Sequence, residues 1–154
     1  QLMHDGTGAL IRSIRPHTHP SAIRAVGSRC LCSIVDRGVE SLDAGEVVTP
    51  ELQGSILPGI TRNSVINLCK SWGLEVEERP IHKDELKEMK ECGLCGTAAV
   101  ISPVGSVTKN DGTEIAFASG MENMGPVLTK LRETLTGIQM GKIEAPEGWI
   151  KVIK

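Results

Sequence analysis

In SILPGITRNSVINLCKSWG (residues 55–73) a proline and a glycine stop an apolar approach, and an unbroken helical pattern begins at once. Val65, Leu68, Cys69 and Trp72 share one helical face, and Gly73 follows at the C′ position, where a chain turns out of a helix. A helix start this abrupt leaves its first amides without intrahelical partners, at the positive end of the dipole. That is a ready place for an anion. Gly59 permits close backbone approach, the backbone beyond it at Ile60 and Thr61 carries N–H groups, and the Thr61 hydroxyl is a further donor. Taken alone, the same residues also read as a plain cap and turn.

The rest of the chain from residue 45 predicts interleaved strands and helices. GEVVTP (45–50) reads as a short strand stopped by Pro50, and LEVEERPI (74–81) as a half-buried strand. KDELKEMKE (83–91) reads as a short charged helix, and TAAVISPV (97–104) as a buried strand ended by Pro103. TEIAFA (113–118), after the turn KNDG, forms the second arm of a hairpin. GPVLTKLRETLTGI (125–138) is a helix with Pro126 near its first position and Leu128, Leu131, Leu135 and Ile138 as its buried stripe. GWIKVIK (148–154) reads as a final strand. The fold class is mixed α+β, without strict βαβ regularity and without internal repeats.

Bulk properties narrow the function. A chain of 154 residues suits one domain with a core, and 40% apolar with 23% charged residues is a soluble globular balance. A net charge of -2 argues against nucleic-acid or membrane-surface binding. With only Trp72, Trp149 and Phe117 as aromatics, stacking on bases or sugars is poorly provided for. No apolar run reaches the length of a membrane span and no signal-peptide pattern opens the chain, so a cytoplasmic location with reduced cysteines is expected.

Residues 1–44 differ in character. They hold five arginines, no lysine and three of the four histidines, whereas residues 45–154 hold nine lysines and three arginines. RPHTHPSAIRA, with Pro16 and Pro20, breaks regular structure. This atypical N-terminal segment reads either as an irregular arm or as foreign sequence, from a truncated or misframed reading of a longer gene; the change in residue usage favours the second.

Other constellations were weighed for chemistry. GTAAV (96–100) sets backbone amides beside the Thr97 hydroxyl, with small side chains that leave room for a carboxylate or a second phosphate edge; it also reads as a plain strand start. Cys30 and Cys32 are too closely spaced for an ordinary zinc knuckle, so no metal site is expected there or at the HTH histidines. Cys92 and Cys95 have dithiol spacing but read more simply as reduced thiols. The carboxylates of EVEER and KDELKEMKE read as solvated faces. No Ser-His-Asp grouping or Gly-Lys-Ser/Thr phosphate loop is present.

GSILPGITRNSV, LEVEERPI, GLCGTAAVISPVG and SGMENMGPVLTKLRETLTGIQMGKIEAPEGW, in that order, resemble the branched-chain amino-acid aminotransferases, pyridoxal-phosphate enzymes of fold type IV. The resemblance runs from about Gly45 onward, and it implies the larger, C-terminal domain of that fold, incomplete, over residues 45–154. It implies that the loop containing Gly59 brings the amides of Ile60 and Thr61 to the cofactor phosphate, with Thr97 touching the same phosphate. It implies that the backbone at Ala98 and Ala99 faces the substrate carboxylate. The implied reaction moves an amino group between Leu, Ile or Val and 2-oxoglutarate on pyridoxal 5′-phosphate, in a homodimer.

The same resemblance implies two gaps. The family lysine that carries the cofactor, counted back from LPGITR, falls at or just before residue 1, so no catalytic residue is assigned in this chain. The glutamate expected opposite the pyridine nitrogen falls in CLCSIVDRG, near Ser33. The expectation is therefore a fragment without transaminase activity, whose missing neighbours leave apolar surface exposed. The alternatives are a non-catalytic binding or dimerisation module on the same scaffold, and another fold-type-IV enzyme such as a D-amino-acid aminotransferase. Ordered packing of residues 1–44 favours the module.

Overall fold

Eight strands and two helices form the regular structure of the described residues of this computed structural model: 9–13, 23–24, 31–35, 45–52, 58–81, 85–97, 99–109, 112–117 and 124–153. The strands are β1 (Ala9–Ser13), β2 (Ile23–Arg24), β3 (Leu31–Val35), β4 (Glu46–Thr49), β5 (Glu75–Glu78), β6 (Glu91–Gly96), β7 (Val100–Lys109) and β8 (Glu114–Ala116). The helices are α1 (Ile60–Ser71) and α2 (Pro126–Gln139), and a single 3-10 turn spans Glu85–Glu88. The strands pair in the order β2–β1–β7–β6–β3–β4–β5, with β8 also beside β7. Every pairing is antiparallel except that of β4 with β5. A parallel pair needs a crossover, and α1 supplies it.

Strand alternation divides the core in two. Val47, Cys95 and Ile101 join α1 residues Val65, Leu68 and Cys69 and α2 residues Leu128, Leu131 and Leu135 in one cluster. Val48, Cys92, Val104, Val107 and Phe117 form the second, with Met89. Both helices therefore cover one face of the sheet. Val104 and Val107 share a cluster because a bulge intervenes: Ser13 faces Val104 and Arg12 faces Ser106, leaving Gly105 as the extra residue. The Gly105 carbonyl is taken by Phe117 N at 2.9 Å, which ties the bulge to the end of β8. At the far end of the helices the Lys130 ammonium lies 4.3 Å from the Trp72 ring centre, joining α2 to the C-terminus of α1.

The helices expected after Gly59 and over 125–138, the 45–50 and 74–81 strands and the β7–β8 hairpin are present, and Gly73 turns out of α1 at φ 80°. Four readings differ. Pro103 does not end its strand: β7 runs through it to Lys109. Pro103 faces Gly93 of β6, whereas pairing with β1 begins only at Val104, so the missing N–H falls where β1 asks for none. GWIKVIK is not a strand over its described residues. Trp149 packs against the helix-side core, but Ile150, Val152 and Ile153 are exposed and no described strand pairs with them. An alternating pattern without a free sheet edge beside it has no ladder to join. Over its described residues 85–91 the expected helix is only a 3-10 turn, Glu85–Glu88, and Glu91 belongs to β6. Finally, within residues 1–44, three stretches pair as strands: β2 with β1, β1 also with β7, and β3 between β4 and β6. Their weak sequence periodicity is supplemented by partners distant in sequence. The Pro16 to Pro20 stretch, His4, Asp5 and Cys30 lie outside the described residues.

Candidate functional site

β6 and β4 both run antiparallel to β3, so they point the same way, and β5 runs parallel to β4. β4 ends at Thr49, α1 begins at Ile60, and Arg62 in its first turn bonds to Pro50 and Glu78, which sets the N-terminus of α1 at the strand ends where Thr49 and Glu78 stand. The turn from β6 to β7, with Thr97 and Ala99 both exposed, lies at that same end. The topology thus brings the two sequence-predicted amide cradles to one end of one sheet. Ala98 lies outside the described residues. Ser33 lies in β3, facing Val48 and Cys92 in the ladder.

The two helix starts differ in how they are satisfied. Gly59 caps α1 with φ -82° and ψ 145°, ordinary extended backbone, and no side chain bonds to the cap. Its contribution is the missing side chain, not left-handed freedom. The first intrahelical bond runs from Asn63 N to Gly59 O at 3.1 Å, so the amides of Ile60, Thr61 and Arg62 come before any helical acceptor. No acidic residue lies in that first turn. At α2 the same need is met internally: Val127 N and Leu128 N donate to the Glu91 carboxylate at 3.2 and 3.0 Å. One positive helix end is filled by a carboxylate and the other has no side-chain cap among the described residues, which suits an external dianion such as a phosphate ester.

Three features escape the sequence patterns. Arg62 is buried, and its Nη2 donates to Pro50 O at 2.9 Å and to Glu78 Oε2 at 2.8 Å. Glu91, read as part of a solvated charged run, is buried. The signal available for it was the Gly125-Pro126 helix start, which has no capping side chain of its own and so needs a cap from elsewhere. Val100, at the exit of the Thr97 turn, holds φ 56°, a conformation that a β-branched residue rarely adopts. Two other carboxylates of these runs are also engaged: Arg79 donates to Glu77 at 2.6 Å and to Glu85 at 2.7 Å. These bonds, that to Glu77 foremost, hold the guanidinium above its usual range.

The cysteine alternatives lose their geometry. Cys92 and Cys95 belong to the two different core clusters, on opposite sheet faces, which does not suit a dithiol. Cys69, Cys92 and Cys95 are all buried. Among the described residues no group of three or more His, Cys, Asp or Glu could hold a metal, and no helix is long and apolar enough to cross a membrane.

Known proteins agree on one relationship. The family described as amino-transferase class IV matches residues 41–107. A probable branched-chain-amino-acid aminotransferase of Staphylococcus aureus is 47% identical over 118 residues, which are 73% of this chain and 32% of that protein. Among solved structures, the branched-chain amino acid aminotransferase of Escherichia coli superposes with a TM-score of 0.60 at 31% identity, over 80% of this chain and 36% of that one. The enzyme of Thermobaculum terrenum, solved in a PLP-form, gives 0.56 at 30% identity, over 76% of this chain and 33% of that one. The chain therefore spans about a third of the length of the relatives it matches.

Proposed function

We propose a function from the premise that the chain belongs to the branched-chain amino-acid aminotransferases, within amino-transferase class IV. In this reading the amides of Ile60 and Thr61, reached past Gly59, hold the phosphate of pyridoxal 5′-phosphate, and the Thr97 hydroxyl gives it a further donor. The backbone at Ala98 and Ala99 accepts the carboxylate of the amino acid. The single observation that carries the reading is the contrast between the start of α1, which has no side-chain cap among the described residues, and the carboxylate-filled start of α2. When bound, the cofactor ring supplies the electron sink that lets the amino acid lose its Cα proton. This chain's residues would bind and orient: the helix start would fix the phosphate end, and the 97–99 turn would set the carboxylate.

The whole reaction, transfer between Leu, Ile or Val and 2-oxoglutarate in a cytoplasmic homodimer, is proposed for the complete protein. None of the nine lysines occupies the position at which the family carries its cofactor, so the 154 residues alone have no group to take and return the Cα proton. Purified chain mixed with pyridoxal phosphate, leucine and 2-oxoglutarate is expected to make no glutamate beyond a protein-free control. Glutamate above that control overturns the inactivity. Saturable binding of pyridoxine 5′-phosphate by the same chain is the positive arm, and its absence overturns the phosphate site.

A second reading is a non-catalytic binding or dimerisation module. The pairing of β1 and β3 into the sheet favours it, because residues 1–44 then contribute structure to this domain. Saturable binding joined to a stable dimer and no turnover is its signature.

A further inference from the structure

Arg62 is the third residue of α1 and only 5% exposed, an uncommon setting for a guanidinium. Its two acceptors stand at the ends of both parallel strands: Pro50 directly follows β4, and Glu78 is the last residue of β5. One side chain on the first helical turn is thereby tied to the whole β4–α1–β5 unit. Ile60 is 87% exposed and Gly59 has no side chain, so neither anchors the turn by packing. The arrangement is also incompletely satisfied: Arg62 Nε and the fully buried Thr49 Oγ1 have no hydrogen-bond partner among the described residues. A buried guanidinium with an orphaned Nε is a poor way to gain stability, and an apolar residue of similar volume would serve better.

We infer that Arg62, clamped by Glu78, is a positioning residue that fixes the amides of Ile60 and Thr61 for the phosphate. It touches no ligand; it acts through the helix backbone one and two residues ahead of it. Without the clamp the uncapped turn frays, as helix starts with few partners do, and the paired donors lose their common aim. The inference rests on the reading of this helix start as the phosphate site, and the test separates the two.

The full chain is titrated with pyridoxine 5′-phosphate and with pyridoxine, neither of which has an aldehyde to react with lysines. The ratio of the two affinities isolates the phosphate. Wild-type chain is expected to prefer the phosphate ester. Arg62→Lys keeps the charge but loses the planar fork, and Glu78→Ala removes the clamp from a side chain that is 42% exposed. Both are expected to lower the preference about tenfold with pyridoxine binding unchanged, a split that loss of overall stability does not produce. If wild type shows no preference, the phosphate site itself is wrong and the inference goes with it. If wild type prefers the ester and the variants keep that preference within about twofold, the site stands and the positioning role is wrong. Should Arg62→Lys not fold, Glu78→Ala decides alone.

Discussion

The Glu91 carboxylate, at the first residue of β6, accepts the backbone amide of Leu128 in the first turn of α2 at 3.0 Å. The cap comes from 37 residues away in the chain, where ordinary helix caps are local. Bonds to a charged acceptor of this kind contribute about 1.5–3 kcal/mol, so Glu91→Ala is expected to lower unfolding free energy by that order, with Glu91→Gln losing less. Urea denaturation of the three proteins measures it. Equal stability of wild type and Glu91→Ala would show that the cap contributes nothing.

Gly125 is required by the same contact. A Cβ at that position would run into the Glu91 carboxylate. Gly125→Ala is therefore expected to cost about 1–3 kcal/mol in wild type and far less in the Glu91→Ala background. A double-mutant cycle reads the coupling, and additive losses contradict the contact.

Val100 holds the left-handed region at the exit of the Thr97 turn while packing against the helix-side core. Ala and Gly both remove the packing, but only Gly also removes the backbone penalty of about 1–2 kcal/mol. Val100→Gly is expected to be the more stable of the two variants, inverting the usual order within strands. Thermal or chemical denaturation that ranks Val100→Ala above Val100→Gly excludes the strained geometry.

Burial pushes the Cys69 thiol up to about 12, against the opposing pull of a backbone hydrogen bond and the Lys130 ammonium. The unfolded thiol ionises near the ordinary value of 9.0 and the folded one does not, so this contribution is whole below pH 9 and drains away as pH climbs toward 12. The slope is about 1.4 kcal/mol per pH unit for one proton. Comparing wild type with Cys69→Ala across that window isolates it. A difference in stability that does not change with pH removes the buried-thiol account.

Local signals carried the helices. The stripe Leu128, Leu131, Leu135 and Ile138 is buried, and Gly73 and Pro126 mark a helix end and a helix start where their backbone chemistry dictates. What stayed hidden depends on partners remote in sequence. Glu91 and Arg62 look like surface charges until a distant helix start and two strand ends are placed beside them. Strands β1 and β3 have little pattern of their own, and β7 passes through Pro103 because of where its neighbour begins. The strand pattern of the 148–154 tail misled for the converse reason: its alternation is real, but no described strand stands beside it. At the candidate site, Ile60 and Thr61 were legible as a helix start, and their relation to Thr97 required the topology of β3, β4 and β6.

The central claim is that the open helix start, and not the filled one, holds the cofactor phosphate. Amide NMR of isotope-labelled chain during titration with pyridoxine 5′-phosphate tests it most directly. The account predicts saturable shifts at Ile60 and Thr61, a response at Thr97, and none at Val127 or Leu128, whose amides Glu91 already occupies. Saturation that leaves Ile60 and Thr61 unmoved, or that moves Val127 and Leu128 instead, contradicts it.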